Sequence, residues 1–176
     1  MKTGLIKVTL GFFAVLPFVV TSCLMGDSED FPDFNAQLQK DLETIDNYLA
    51  ANNIDARQDP DGLIRYEIHI DSTGGKKPNI DSCLTTNYQG KLLDTGAEFD
   101  KGINISFPLN GVIDGWKIGM PLLHEGDSVT LYIPSGLGYG FVGIEPEIPK
   151  NANLMFHVGI KKVGTNYKAA GGGSCD

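Results

Sequence analysis

The side chains that could form a site in this chain are chiefly aromatic. The only tryptophan, Trp116, ends a glycine-bounded segment that reads Gly111-Val-Ile-Asp-Gly-Trp116. No Cys-x-x-Cys occurs, and His69, His124 and His157 are far apart in the sequence, which argues against a metal site. No convincing catalytic triad is present either. These residues favour a concave apolar pocket with few polar groups.

Most of the elements that must position these aromatic residues are predicted to be strands. Ile64 to Ile70 alternates apolar and polar residues, as do 84–88, 129–133 and 154–160. Between Gly115 and Leu123, the spacing of Trp116, Met120 and Leu123 fits a short helix. The pattern predicts an α+β fold, with antiparallel strands and one sheet face covered.

A second, longer helix is predicted before the strands. Its apolar residues recur at steps of four and three and share one face: Phe34, Leu38, Leu42, Ile45 and Leu49. Asp33 is placed to cap its start, and Asn52-Asn53 to end it. Such a face must cover apolar surface, either on the same domain or on a partner.

The order and spacing of short motifs around Trp116 resemble the FKBP-type peptidyl-prolyl cis-trans isomerases. The resemblance covers about residues 62–164. Besides the tryptophan segment, the motifs are Asn87-Tyr-Gln-Gly90, Glu98-Phe-Asp100, Tyr132-Ile-Pro134, Tyr139-Gly140 and Ala152-Asn-Leu-Met-Phe156. The resemblance implies an FKBP-like antiparallel sheet wrapped on a short helix, to which the longer helix is an N-terminal addition. It also implies isomerase activity on proline-containing unfolded or partly folded polypeptides, with no cofactor and no metal.

The resemblance assigns a role to each pocket residue. Trp116 is the expected floor, and the Ile113 backbone N–H and Tyr139 hydroxyl are expected to bind substrate carbonyls. Asp100 supplies a polar contact at the edge. The aromatic walls and aliphatic rim are Tyr88, Phe99, Phe156, Val112 and Ile113. Phe107 is assigned to the core instead.

Three features depart from the family pattern. The segment between Asp100 and Phe107 is shorter than usual, and Ile105 replaces an expected aromatic wall. Glu147 stands where an apolar residue is usual; because burying its carboxylate would be costly, it should point to water or, as a substrate contact, favour a basic substrate flank. Ile148 still fits the pattern as a substrate contact. These departures motivate the alternative of a non-catalytic binding or chaperone module on a surface lipoprotein.

The first 22 residues have the features of a secretory signal peptide. Two lysines precede an apolar run of 13 residues, shorter than the roughly 20 that a membrane-spanning helix needs. Val20-Thr-Ser-Cys23 resembles a bacterial lipobox, which implies lipidation of Cys23 and a membrane anchor in the cell envelope, at the outer membrane. An ordinary leader with an incidental cysteine is the alternative. The acidic residues of 26–30 fit either a surface-export signal or a solvated spacer.

The net charge of −8 makes nucleic acid an unfavourable partner, since phosphate backbones would repel the chain.

Cys83 and Cys175 remain once Cys23 is lipidated. Outside the cytoplasm they could pair, but spacing alone leaves pairing and free thiols both open. The family fold places Cys83 near the point where the tail departs, which makes the bond feasible.

The expected organisation is signal peptide 1–22, lipidated acidic linker 23–33, helix and linker 34–61, isomerase domain 62–164 and flexible tail 165–176.

Overall fold

The computed structural model describes residues 33–166 and Cys175. The predicted signal peptide, Cys23 and most of the acidic linker lie outside these residues, as does most of the predicted tail. The helices are α1 (Phe34–Ala51) and α2 (Asp114–Gly119). The strands are β1 (Arg57–Gln58), β2 (Arg65–Ile70), β3 (Ser82–Leu92), β4 (Glu98–Pro108), β5 (Ser128–Ile133) and β6 (Leu154–Asn166). Within this part of the chain, no helix has both the length and the apolar character needed to cross a membrane.

The six strands form one antiparallel sheet in the order β1-β2-β5-β6-β3-β4. Alternation along β5 and β6 divides the sheet into two faces. The inner face carries the buried residues of the main core, among them Val129, Leu131, Phe156 and Val158. The outer face carries the residues between them, such as Thr130 and His157. The α+β class predicted from the alternation is confirmed.

Helix α2 covers the inner face at close range. A side-chain carbon added at Gly115 would lie within 3 Å of three atoms of the Ile133 side chain. Glycine therefore lets the helix approach the sheet closely, and Trp116 follows directly as a buried residue. The short helix continues as a 3-10 turn over Met120–Leu122.

Helix α1 docks on the outer face of the same sheet. Ile45 and Leu49 pack in a small second core with Leu93 and Tyr132. The Asp33 side chain accepts a hydrogen bond from the Asn35 N–H, as the capping prediction required. The apolar stripe is only partly correct, because Phe34 is exposed and Leu42 half-buried, whereas Asp41 is buried. The Asp41 carboxylate can be buried in the contact face because hydrogen-bond donors are present there.

A disulfide ties the start of β3 to Cys175 near the end of the sequence. Cys83, at the start of β3, forms a disulfide with Cys175, with a Cα–Cα distance of 5.5 Å. Strands β3 and β6 pair along their full lengths, from Ser82 opposite Asn166 to Leu92 opposite Leu154. The end of β6 therefore lies beside Cys83, which is where the family resemblance expected the tail to depart. The pairing that spacing left open is present.

Candidate functional site

Trp116 forms the floor of a hollow on the inner face of the sheet. Helix α2 begins after Ile113, so its first turn places the indole between the helix and the strands. Three rings surround it, with centroid distances of 5.5 Å for Tyr88, 5.3 Å for Phe107 and 5.3 Å for Phe156. Tyr88 and Phe156 meet the indole almost edge-on, at 88° and 87°, an arrangement that aromatic quadrupoles favour.

The hollow has a volume of about 360 Å³, within the size range of small-molecule sites. Strands β3, β4 and β6 supply its aromatic walls, and the segment before α2 supplies an aliphatic rim. The lining residues are Tyr88, Asp100, Phe107, Gly111, Val112, Ile113, Trp116, Tyr139 and Phe156. Seven of the eight main residues that the sequence assigned to the pocket thus lie together. The hollow is open and bounded mostly by carbon.

Phe99, the eighth assigned residue, supports the wall instead of lining it. Its ring packs edge-on against Phe156 at 5.4 Å and against Tyr139 at 6.5 Å. Gly90 makes room for this pair, because a side-chain carbon there would come within 2.8 Å of both phenylalanine rings. The β3–β6 pairing at Gly90 and Phe156 fixes the arrangement.

Asp100 is the charged side chain at the edge of the hollow. Its carboxylate accepts a hydrogen bond of 3.0 Å from the Tyr88 hydroxyl. Burial, followed by this hydrogen bond and the negative charge of Asp100, raises the pKa of Tyr88 to about 12. The Tyr88 hydroxyl is therefore neutral at physiological pH and held by Asp100.

The Tyr139 hydroxyl is the polar group still available at the rim. Burial, and then the charge of Asp100, raise the pKa of Tyr139, so it too stays protonated. No hydrogen bond to this hydroxyl forms within the described part of the chain. The Ile113 N–H likewise has no partner among the described residues, although the Ile113 carbonyl accepts from the N–H groups of Trp116 and Lys117. Two free donors therefore border one apolar hollow.

Three further residues that the sequence analysis considered as wall or substrate contacts do not line the hollow: Ile105, Glu147 and Ile148. Ile105 is 44% exposed and lies beside Gly102, outside the hollow, because an irregular register in β4 at Asn104 turns the strand there. Ile148 is buried in the main core, where it anchors a hairpin through mutual backbone hydrogen bonds with Ile144. Glu147 is exposed to water, which avoids the cost of desolvating its carboxylate.

The assignment of Phe107 to the core was incomplete. Its ring contacts Trp116 and also lines the hollow, as does Gly111. The signal that could have found it is its position in β4, opposite Leu84 and two strands from Phe156. That pairing depends on the register of β3 with β4, which the sequence alone does not fix.

The histidines lie elsewhere. His69 and His157, far apart in the sequence, have ring centroids 5.1 Å apart on the outer face of the sheet. Both contact the Thr130 hydroxyl, at 2.7 and 3.2 Å. Among the described residues, no group of three or more histidine, cysteine or acidic side chains is arranged to hold a metal. The two imidazoles are separated from the hollow by the sheet itself.

Comparison with known proteins gives consistent results. The family model for the FKBP-type peptidyl-prolyl cis-trans isomerase matches residues 74–161. The chain is 44% identical over 99 residues to a probable FKBP-type isomerase, FkpA, of Neisseria meningitidis serogroup B, covering 54% of this chain and 36% of that protein. It is 38% identical over 112 residues to FkpA of Escherichia coli K12, covering 61% and 40%. The chain thus spans well under half the length of these curated relatives.

A shorter relative and two solved structures also match. Peptidyl-prolyl cis-trans isomerase FKBP2 of Mus musculus is 38% identical over 104 residues, covering 51% of this chain and 74% of that protein. An isomerase structure from Pseudomonas syringae pv. tomato has a TM-score of 0.63 at 25% identity, covering 74% of this chain and 96% of that one. Escherichia coli FkpA has a TM-score of 0.59 at 31% identity, covering 74% and 64%. Taken with the fold and the aromatic hollow, these matches show that the chain belongs to the FKBP-type peptidyl-prolyl cis-trans isomerase family.

Proposed function

We propose that this protein accelerates cis-trans isomerisation of X-Pro bonds in unfolded or partly folded polypeptides. The observation that carries the proposal is the hollow over Trp116, which is lined mostly by carbon and bordered by two free hydrogen-bond donors. Membership of the isomerase family supports the same reaction.

The reaction requires rotation about a partial double bond, with a barrier of about 18–20 kcal/mol. The planar amide is polar because of resonance, and the twisted amide has lost much of that charge separation. A water-poor apolar hollow therefore favours the twisted form relative to the planar one. Tyr88, Trp116 and Phe156 provide such a surface for the proline ring. This step needs neither a nucleophile nor a general base.

The two free donors would orient the substrate. The Ile113 N–H and the Tyr139 hydroxyl lie at the rim, where each can donate to a backbone carbonyl flanking the proline. Asp100 already accepts from Tyr88, so its charge is partly satisfied before substrate binds. Anchoring the chain at both carbonyls while the imide bond turns would convert binding energy into orientation.

A proline-limited refolding assay, with Tyr139→Phe as the test variant, examines this proposal. Uncatalysed isomerisation takes tens to hundreds of seconds, so catalysis at micromolar enzyme is easily measured. Removing only the hydroxyl should lower kcat/KM roughly fivefold to tenfold, as expected for one hydrogen bond of about 1–1.4 kcal/mol. Tyr66→Phe is the matched control, since Tyr66 is a half-buried tyrosine on β2 outside the hollow.

A parent protein without measurable activity would contradict the catalytic proposal. Peptide binding without catalysis would instead favour a non-catalytic binding module, the alternative suggested by the exposed Ile105 and the short segment before Phe107. Equal losses in Tyr139→Phe and Tyr66→Phe would exclude a specific role for the Tyr139 hydroxyl.

We further propose that the protein works in the bacterial cell envelope, anchored through lipidated Cys23, where it assists the folding of exported proteins. The lipobox-like Val20-Thr-Ser-Cys23 supports this location, and a disulfide between Cys83 and Cys175 suits an oxidising compartment. Slow X-Pro steps limit the folding of many chains. Cys23→Ala should release protein from the membrane fraction. A variant retained as firmly as the parent would contradict lipid anchoring, and protease treatment of intact cells would distinguish surface from periplasmic exposure.

A further inference from the structure

A second apolar cavity lies between helix α1 and the loop that carries Tyr139. We call it the accessory groove; its volume is about 340 Å³. One wall is the first turn of α1, and the other is the loop from Ser135 to Val142. Its apolar and aromatic lining comprises Phe34, Leu38, Tyr139, Phe141 and Val142. No charged side chain lines it in the described part of the chain.

The accessory groove adjoins the hollow. Tyr139 lines both cavities, so the two lie side by side at this residue. A polypeptide whose proline lies over Trp116 can therefore cross Tyr139 and enter the groove. An extended chain advances about 3.3 Å per residue, so two or three residues span roughly 7–10 Å, which we take as the reach needed to cross the single residue Tyr139.

We propose that the accessory groove is a subsite for an apolar side chain of the polypeptide substrate, two or three residues from the isomerised proline. This inference rests on the proposed function and adds a substrate preference to it. Its occupant would be a leucine, methionine or phenylalanine side chain, because the lining is mostly apolar and, among the described residues, carries no charge. The groove depends on α1, the helix that lies outside the sheet.

Buried polar contacts hold the two walls in place. The Asp41 carboxylate, 2% exposed, accepts hydrogen bonds from the Ser135 N–H at 2.9 Å and from the Ser135 hydroxyl at 2.5 Å. Gln37 donates to the other oxygen of Asp41 at 2.7 Å. Since buried polar groups are stable only when satisfied, this arrangement fixes the spacing of α1 and the loop.

The rim of the accessory groove has apolar side chains that are exposed to water. Phe34 and Phe141 are each 52% exposed and Val142 is 62% exposed. Phe34 lies so close to Gly136 that a side-chain carbon there would be 2.6 Å from its ring. The absence of a side chain at Gly136 thus lets the Phe34 ring pack closely against the loop. Exposed apolar residues around a concavity are typical of binding sites.

A leucine scan of the substrate provides the test. Peptides with one central proline in an alanine–serine background would carry a single leucine, moved outward by one position on either side. With the parent protein, kcat/KM measured by NMR exchange should rise about fivefold to tenfold at one position, two or three residues from the proline. Phe34→Ala should bring that ratio back towards one. Ile103→Ala, which removes an exposed isoleucine from β4, should keep the ratio of the parent.

Methyl NMR of the same proteins distinguishes this inference from the proposed catalysis. On addition of the preferred leucine peptide, the methyl signals of Leu38 and Val142 should shift. Such shifts without isomerisation would support the groove while contradicting the proposed function. Isomerisation with equal kcat/KM at every leucine position, or an unchanged ratio in Phe34→Ala, would overturn the groove alone. Concentration-dependent shifts without peptide would identify a second copy as the occupant and also overturn it.

Discussion

Phe156 and His157 are consecutive in β6 but point to opposite faces of the sheet. Phe156 packs edge-on against Trp116, 5.3 Å away, in a hollow built almost entirely of carbon. His157 lies on the outer face, beside His69 and the Thr130 hydroxyl. The inner face thus presents mostly apolar surface, with Asp100 at the edge of the hollow, whereas the outer face carries the two imidazoles.

The difference shows how one sheet can separate catalysis from support. Twisting an amide is favoured where polar solvation is weak, and the inner face provides this environment. The outer face instead binds α1 through Tyr132, which packs with Ile45 and Leu49 of the helix. Arg65 on this face also forms a bidentate ion pair with α1, in which it donates to both carboxylate oxygens of Asp46. Substitutions on the two faces should therefore have separable effects on activity and on stability.

The largest separation is expected for a pair of buried aromatic residues, one on each face. Trp116→Leu and Tyr132→Leu should each lower the free energy of unfolding by about 2–4 kcal/mol, since both side chains are almost fully buried. Only Trp116→Leu should also lower kcat/KM, roughly thirtyfold, because about 2 kcal/mol of transition-state stabilisation is lost with the floor of the hollow.

Denaturant titrations and the refolding assay, scaled to the folded fraction, measure both quantities. Equal losses of kcat/KM in the two variants would show that the faces are not functionally separate. A normal kcat/KM in Trp116→Leu would remove the hollow from the mechanism.

The sequence predicted the inner face better than the outer one, for a physical reason. Alternation with period two reports which residues share a face, and Trp116, Phe156 and Tyr88 could be assigned from motif order. Contacts that depend on register are not local, so the wall position of Phe107 and the pairing of His69 with His157 were not predictable. Ile105 was misplaced because the backbone turn at Asn104, with a φ of 54°, is not evident from the residues around it.

Helix α1 illustrates the limit of hydrophobic periodicity. Its stripe identified Leu38, Ile45 and Leu49 as contact residues, and all three are buried. The same stripe gave no sign that Asp41 would be buried, because periodicity scores a carboxylate as exposed. In the described part of the chain, two of its three donors come from Ser135, 94 residues away in sequence, and the third comes from Gln37 in the helix itself.

A pair of aspartate substitutions on α1 sharpens the comparison at an intermediate magnitude. Asp41→Ala leaves the buried Ser135 hydroxyl without its acceptor, so the free energy of unfolding should fall by about 2 kcal/mol. Because Ser135 precedes Tyr139 in the same loop, kcat/KM should also fall several-fold. Asp46→Ala removes an exposed partner of Arg65 and should cost less than about 1 kcal/mol. Chemical denaturation and refolding kinetics measure both effects. Identical stability losses would show that the Asp41 contact to the loop contributes nothing beyond an exposed pair.

The smallest effect concerns pH, which should change the free energy of unfolding through the outer face and leave kcat/KM at the inner face constant. On the outer face, partial burial and, to a smaller extent, repulsion from His69 and Lys91 lower the pKa of His157. The negative charge of Glu67 raises it, with a smaller effect. The unfolded chain therefore binds a proton more readily, and the free energy of unfolding should fall as pH drops from about 7 through the ordinary histidine range. Because His157 is only partly buried and stays largely in contact with water, screening by solvent should limit the fall in the free energy of unfolding to less than about 1 kcal/mol.

On the inner face, the raised pKa values of Tyr88 and Tyr139 keep both hydroxyls protonated throughout this range. The kcat/KM of the folded protein should therefore stay constant between about pH 6 and pH 9, while stability declines on the acidic side. His157→Gln should reduce that decline without changing the activity profile. A sigmoidal loss of kcat/KM near pH 6.5 that disappears in His157→Gln would contradict the separation, because it would mean that charge on the outer face reaches the hollow through the sheet.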